Sequence, residues 1–206
     1  MSVNLSTKHT RGFGRVNMLA NLLQAAVASD AAAWYDNERA ELQGIARKYG
    51  VDYEIVAAVV AHVSPMMPWQ RNKFVAEVII EVWYLSGDAA WDVLTGADKG
   101  LGLPANIRKA VDVLTSGNPH AAKFGPKTGK FYANLTGNQD EVTVDRHHAS
   151  IAMGLRKAGE VSVRPAAIVD VQHLTRIAAD VRGMTPAEFQ AAAWVARRES
   201  LGMADW

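Results

Sequence analysis

Apolar residues recur at three- and four-residue spacing along most of the chain, a pattern typical of amphipathic helices packed around a core. The predicted helices begin near Met18, Ser29, Asp52, Pro68, Ser86, Pro104, Pro126, Asp145, Arg164 and Thr185. Only Val142-Thr143-Val144 resembles a strand, and this run is too short to form a sheet. The sequence therefore predicts an all-α fold.

Three of these helices have a distinctive pattern. Residues 53–63 are apolar on nearly every side, which predicts a central and buried helix. The helix that follows Pro68 is expected to bury Phe74, Val78, Ile79, Val82 and Trp83. The helix that follows Arg164 is expected to bury a stripe made of Ile168, Val169, Val171, Leu174, Ile177 and Val181.

The length of 206 residues suits one domain or two lobes that share a core. Residues 1–16 are polar and dotted with glycine, so we assign them to a flexible, extended N-terminal arm. Residues 17–206 are assigned to a single helical domain with a hairpin at 118–137. Basic side chains that the arm offers to a partner are Lys8, His9, Arg11 and Arg15.

Composition excludes several classes of protein. The net charge is +1, so a nucleic-acid-binding face must be a local patch. The chain has no cysteine, which excludes disulfides and a cysteine-held iron–sulfur cluster. We find no signal peptide and no apolar span of about 20 residues, so a cytoplasmic location without membrane contact is expected. Gly100-Leu101-Gly102 is not followed by the Lys-Ser/Thr of a phosphate-binding loop, and no cofactor is predicted.

The stretch from Asn118 to Ile151 carries the candidate chemistry. We predict a short helix after Asn118, a tight turn at Phe124-Gly125-Pro126 and a second helix that begins at Pro126. No acidic residue occurs between Ala121 and Gln139. The lysines around the turn are Lys123, Lys127 and Lys130. A helix N-terminus with free N–H groups and local lysines is suited to bind a phosphate.

Asp145 begins the next helix, 18 residues after Lys127, and both side chains could face one cleft. The helix dipole disfavours a cation at Lys127, and a Schiff-base nucleophile requires a neutral amine. Lys127 is therefore either a nucleophile, a phosphate ligand or a solvated lysine. Asp145 is either a catalytic carboxylate or simply the residue that caps its helix.

The run Phe124-Gly125-x-Lys127-Thr128, followed by Val144-Asp145-x-His147, resembles the helix-hairpin-helix base-excision DNA glycosylases over about thirty residues. The resemblance implies an all-α, two-lobed fold with a cleft between the lobes. In members with lyase activity the lysine attacks the sugar C1′ and the aspartate assists. These roles would fall on Lys127 and Asp145, and the N–H groups of Gly125 and Thr128 would hold a DNA phosphate.

The hairpin departs from the family pattern in one place. The family usually has Gly-hydrophobe-Gly, whereas this chain has Lys123-Phe124-Gly125. The side chain of Lys123 either obstructs the close phosphate approach or supplies its own phosphate contact. A second, weaker resemblance is to phage glycosylase-like proteins proposed to act on hypermodified thymine bases.

Further residues are assigned to DNA contacts. Lys130 and Lys123 are placed on the phosphate side of the hairpin, and Arg146 and His148 are expected to reach the DNA backbone. His147 matches the family's histidine after the aspartate, with a supporting structural role favoured. A metal site made from His120, His147, His148 and Asp145 is not predicted, because adjacent histidines on a helix point in different directions.

The family places its pocket for a flipped base at the junction that here comprises residues 64–72. Trp69 could stack on such a base, and Gln70 or Asn72 could bond its edge. The alternative is that Trp69 only fixes the helix start. His62 lies near the end of the buried helix, where a satisfied core histidine is the alternative to a base contact.

Three functions remain open, and duplex DNA is the expected partner. The first is a DNA glycosylase that breaks the glycosidic bond through Asp145, with Lys127 available to capture the sugar. The second is a transferase that modifies a 5-substituted thymine or uracil in DNA. The third is a non-catalytic module that binds DNA or interacts with another protein.

Overall fold

The computed structural model describes residues 10–97, 101–155 and 165–203, and the regular elements in these ranges are all helical. The all-α prediction is confirmed for this part of the chain. The α-helices are α1 (Thr10–Leu23), α2 (Trp34–Tyr49), α3 (Tyr53–Val63), α4 (Trp69–Ser86), α5 (Ala90–Ala97), α6 (Pro104–Ser116), α7 (Pro126–Leu135), α8 (Arg146–Ala152), α9 (Pro165–Val181) and α10 (Pro186–Ser200). Short 3₁₀ turns occupy Ser29–Ala31 and Gly87–Ala89.

Local sequence signals set most helix ends. Proline stands at the start of α6, α7 and α10, where its missing N–H costs no helical hydrogen bond. At α10, Thr185 Oγ1 accepts from the Glu188 N–H at 3.3 Å, while Glu188 Oε2 accepts from the Thr185 N–H at 2.7 Å. Gly117 ends α6 in a left-handed conformation with φ 62°. At these three helices the predicted starts are therefore close to the observed ones.

The described chain divides into two compact units. Unit 1 comprises the segment up to Tyr35 together with the chain from Asn138 onward, and unit 2 comprises Asp36–Gly137. One boundary falls within α2 and the other follows α7. The assignment of residues 17–206 to a single helical domain stays a prediction.

Unit 1 is built around Phe189, which is fully buried on α10. Alanines on the facing surfaces of α8, α9 and α10 allow these helices to approach closely. The extended segment Val142–Val144 is buried with them, although it is not a strand. The core residues are Leu22, Val142, Val144, Ala149, Ala152, Val171, Leu174, Ala178, Ala179, Phe189 and Ala193.

Unit 2 is built around α3, in which every residue from Ile55 to Val63 is buried. Helices α4, α6 and α7 pack against it. The apolar run at 53–63 correctly predicted this central helix. No described helix is long and apolar enough to cross a membrane.

Two predicted core stripes are partly wrong. Phe74 is 60% exposed, because α4 turns Val75, Ala76, Ile79 and Ile80 inward instead. On α9, Val169 and Val181 are exposed while Ala178 and Ala179 are buried. On α9 these two small alanines occupy the inward face, so the larger apolar residues beside them are left outside.

Two local predictions also differ from the structure. Helix α1 begins at Thr10, so residues 10–16 are helical where an extended arm was expected; Lys8 and His9 lie outside the described residues. The short helix predicted after Asn118 is replaced by turns. Asn118 Oδ1 accepts from the His120 N–H at 2.9 Å, which forms a side-chain turn instead of a helix.

Two valines of α9 test the corrected stripe. Val171 is fully buried and Val169 is 62% exposed. We expect Val171→Ala to lower the free energy of unfolding by about 2 kcal/mol, from lost burial and a residual cavity. Val169→Ala removes the same atoms from the same helix and should change it by less than about 0.5 kcal/mol. Urea unfolding monitored by circular dichroism measures both, and equal losses would contradict the assigned faces.

Candidate functional site

Asp145 caps the N-terminus of α8 in unit 1. Its backbone is extended, with φ −100° and ψ −178°, and its Oδ1 accepts from the His148 N–H at 2.8 Å. The segment that leads into it is fixed because Gln172 Nε2 donates to the Val142 carbonyl at 3.1 Å. The capping role considered from the sequence is therefore present.

The second oxygen of the same carboxylate is also bonded. Trp194 Nε1 donates to Asp145 Oδ2 at 2.9 Å. The two donors come from different helices, α8 and α10, so they fix the plane of the carboxylate. Asp145 itself is half-buried, so part of it remains accessible to solvent. Trp194 was not among the candidate residues; an indole within the alanine run of α10 was the only sequence signal for it.

A buried cation lies beside this pair. The Arg198 guanidinium is 4.9 Å from the centre of the Trp194 ring, in cation–π geometry. Arg198 is only 8% exposed, and burial lowers its pKa, while the charge of Asp145 acts in the opposite direction. The Trp194 ring also packs at 6.2 Å from the ring of Trp34. Trp194, which bonds Asp145, is thus packed against an aromatic ring and a buried cation.

The two histidines of α8 lie inside unit 1. The His147 ring is edge-on to Trp194 at 6.5 Å, and burial lowers the pKa of His147. His148 is fully buried with Nε2 at 2.9 Å from Thr175 Oγ1, and burial lowers its pKa to about 4. The expectation that His148 reaches the DNA backbone is wrong in this conformation, and His147 is likewise held in the interior. Arg146 is exposed.

The hairpin of unit 2 joins α6 to α7 and is anchored by an aromatic stack. The Phe124 ring lies between the rings of His62, at 4.3 Å with an interplanar angle of 2°, and Tyr132, at 4.9 Å with an angle of 20°. His120 meets the Phe124 ring edge-on at 5.9 Å. These contacts fix the turn against α3 and α7.

A hydrogen bond from the backbone to a side chain closes the turn. The Gly125 N–H donates to Thr128 Oγ1 at 2.9 Å, and Gly125 caps α7. A Cβ added to Gly129 would lie 3.3 Å from Phe124 Cβ, so glycine permits the close approach of α7 to the turn. The resemblance implies that the Gly125 N–H donates to a DNA phosphate. In this structure the same N–H donates to Thr128 Oγ1 within the hairpin.

The hairpin surface is basic. Lys123 is exposed, and Lys127 and Lys130 are half-buried within the first turns of α7. Lys127 is the second residue of that helix. No acidic residue occurs between Ala121 and Gln139 in the sequence. The structure therefore brings the three predicted lysines to one hairpin.

The residues predicted to form a base pocket differ in their exposure to solvent. Gln70 is exposed, whereas Trp69 and Asn72 are buried in unit 2. The Trp69 ring meets Phe131 edge-on at 5.8 Å and lies under Lys73 Nζ at 5.3 Å. Its faces are thus committed to packing, and stacking on a base would require this region to rearrange.

His62 is also buried, and it packs on the hairpin. Burial lowers its pKa to about 4, and the positive charge of Lys109 adds to this effect. Within the described ranges, His62 Nε2 and Asn72 Oδ1 have no hydrogen-bond partner. His62 therefore lies in the core, but it differs from the satisfied core histidine considered from the sequence because its Nε2 has no partner in the described ranges. No three metal-ligating side chains gather anywhere in the described part of the chain.

Comparison with known proteins gives one match. A sequence model of DUF7178, a family of unknown function, matches residues 7–201, which is nearly the whole chain. No curated protein and no solved structure matches the chain.

The buried imidazole of His62 gives a pH prediction. Above about pH 6.5 the imidazole is neutral in both states, whereas between about 6.5 and 4 only the unfolded chain binds the proton. The free energy of unfolding should therefore fall as pH falls through this window. His62→Phe keeps the stack on Phe124 and removes the titration. Between about pH 6.5 and 4, we expect the free energy of unfolding to fall by about 1–2 kcal/mol less in His62→Phe than in wild type, after allowance for solvent screening.

The measurement is urea unfolding at several pH values between 4 and 8. His173→Phe, at an exposed position of α9, is the matched control for the replacement of a histidine by phenylalanine. Equal pH slopes for wild type and His62→Phe would contradict the assignment.

Proposed function

The chain belongs to the DUF7178 family, and we propose that it binds duplex DNA and excises a flipped-out base as a DNA glycosylase. The observation that carries the proposal is the carboxylate of Asp145. It is half-exposed at the start of α8, and N–H donors from two helices hold both of its oxygens.

Base excision needs a carboxylate in a fixed place. As the glycosidic bond breaks, positive charge develops on the sugar, and an oriented anion stabilises that charge or activates a water molecule. Each carboxylate oxygen has two lone pairs and gives only one to its N–H donor here. Asp145 therefore retains acceptor capacity on its exposed side for the reacting sugar or for water.

The basic hairpin is proposed to hold the DNA backbone. Lys123, Lys127 and Lys130 supply the phosphate contacts, and Lys127 is the residue that would capture the sugar in a lyase step. Support comes from the local absence of acidic residues and from the turn held rigid by Phe124. The proposal includes the two-lobed helix-hairpin-helix glycosylase-like arrangement with its cleft, which rests on the sequence motif.

An apolar side chain suited to unstack bases is present in unit 2. Met66 is 83% exposed and has φ 64°, a left-handed conformation that is unusual for a residue other than glycine. It lies between Pro65 and Pro68 in the loop that joins α3 to α4. Proteins that deform DNA insert such side chains between base steps, so we assign Met66 to the DNA-facing surface.

A second candidate function is a transferase that modifies a 5-substituted thymine or uracil and leaves the glycosidic bond intact. The observation that favours it is the hairpin, where Lys123 replaces the usual glycine and the Gly125 N–H is bonded internally. This departure from the excision enzymes indicates a different approach to the DNA backbone.

Nucleoside mass spectrometry distinguishes these functions. Duplexes that contain uracil, mismatched thymine, oxidised bases, or 5-hydroxymethyluracil and its phosphorylated forms are incubated with wild type and with Asp145→Asn. We expect wild type to release a free base from one duplex, and Asp145→Asn to lower the rate at least about 100-fold. An intact nucleoside of altered mass would support the transferase. Binding with no chemistry on any duplex would contradict both enzymes and leave the non-catalytic module.

Asp140→Asn is the matched control for this experiment. Asp140 is exposed in the same unit, so its substitution removes the same charge without touching the α8 terminus. Its base-release rate should equal that of wild type. Circular dichroism of both variants confirms that they are folded.

A second prediction concerns the hairpin lysines. The double change Lys123→Ala, Lys127→Ala should weaken duplex binding more than about tenfold near 0.1 M salt and reduce the salt slope of the logarithm of affinity by about two. Fluorescence anisotropy over a salt series measures both quantities. The charge-matched control is Arg47→Ala, Lys48→Ala on the exposed face of α2. Equal losses in the two double variants would exclude the hairpin as the phosphate site.

A further inference from the structure

We propose that Trp194 is the positioning residue of the candidate active site, and that its indole N–H sets the orientation of the Asp145 carboxylate. This inference rests on the proposed function of Asp145. The indole Nε1 lies 2.9 Å from Asp145 Oδ2, and the capping bond from the His148 N–H to Oδ1 is 2.8 Å.

Two hydrogen-bond donors fix the orientation of the Asp145 carboxylate, which the capping bond alone does not. A single capping bond holds one oxygen and leaves the carboxylate able to rotate about its Cβ–Cγ bond. The second bond, which comes from α10, removes that rotation and fixes both oxygens. Capping of α8 needs only Oδ1, so the bond to Oδ2 is an addition that helix formation does not require.

The indole is itself held on several sides. The ring of Trp34 packs at 6.2 Å, His147 lies edge-on at 6.5 Å, and the Arg198 guanidinium lies 4.9 Å from the ring centre. A cation over the ring draws electron density from it, which strengthens the indole N–H as a donor. The carboxylate is thus oriented by a side chain that packing has already fixed, as a preorganised site requires.

The test is Trp194→Phe, which keeps an aromatic ring for Arg198 and His147 and removes the N–H donor. With the duplex panel described above, we expect the single-turnover rate to fall about 10- to 100-fold, because a misplaced reacting group loses this much. The dissociation constant for the same duplex should stay within about twofold of wild type, since Trp194 acts through Asp145. Trp83→Phe, a half-buried tryptophan on α4, is the matched control and should change neither quantity.

A second measurement needs neither activity nor the Trp194 variant. In ¹H–¹⁵N spectra of the tryptophan side chains, the indole N–H bonded to the carboxylate should resonate downfield. Asp145→Asn should shift that one resonance upfield, and Asp140→Asn should shift none. If no indole resonance responds to Asp145→Asn, the bond does not exist in solution and the inference is overturned.

The kinetic outcomes separate this inference from the proposed function. An unchanged rate in Trp194→Phe, with Asp145→Asn inactive, would overturn the positioning role and leave the proposed function intact. Equal loss of rate and affinity in Trp194→Phe would also overturn it, since that is the result for a DNA-contacting residue. Turnover retained in Asp145→Asn, or no turnover by wild type on any duplex, would overturn the proposed function and this inference with it.

Discussion

Two short helices carry the candidate chemistry, and the unpaired backbone N–H and C=O groups at their ends need side chains as hydrogen-bond partners. Helix α8 has seven residues and α7 has ten, lengths at which an isolated helix is not stable. Asp145 closes the start of α8. At the end of α7, the Leu135 carbonyl accepts from Tyr53 Oη at 2.6 Å and from Arg39 Nε at 3.0 Å. The hydrogen bonds that stabilise the ends of α7 and α8 therefore also fix the positions of the candidate residues on these helices.

This constraint gives Asp145 two roles that do not exclude each other. Its capping bond stabilises α8, and the same bond holds the carboxylate at a defined place on the surface of unit 1. The bond from Trp194 then restricts the orientation that capping leaves open. Because the proposed catalytic residue also caps α8, its replacement is expected to cost some stability, so folding and chemistry must be measured separately.

In unit 2, the aromatic stack at the hairpin likewise uses side-chain contacts to fix a segment that carries candidate residues. Phe124 lies between His62 and Tyr132, which fixes a turn that has few backbone hydrogen bonds of its own. The packing partner of the turn is therefore a side chain of the buried helix α3. With Phe124 held inside, Lys123 is directed to solvent, where a phosphate could reach it.

Local signals allowed the sequence to determine the all-α class and most helix boundaries, because prolines at helix starts, glycines at helix ends and the Thr185–Glu188 capping box act within a few residues. The apolar run of α3 identified the core of unit 2 for the same reason. The sequence also placed Asp145 at a helix start and the lysines around one turn. Each of these features depends on neighbours along the chain.

Only the tertiary structure decided which side chains meet across the chain. Trp194 bonds an aspartate 49 residues before it, and no local pattern predicts that pair. The same applies to Trp69, whose ring faces Phe131 and Lys73 and not solvent, and to the burial of His148. On α9, alanines displaced Val169 from the core because close helix packing favours small residues. Burial and long-range pairing are properties of the packed helices together, and helical periodicity alone does not specify them.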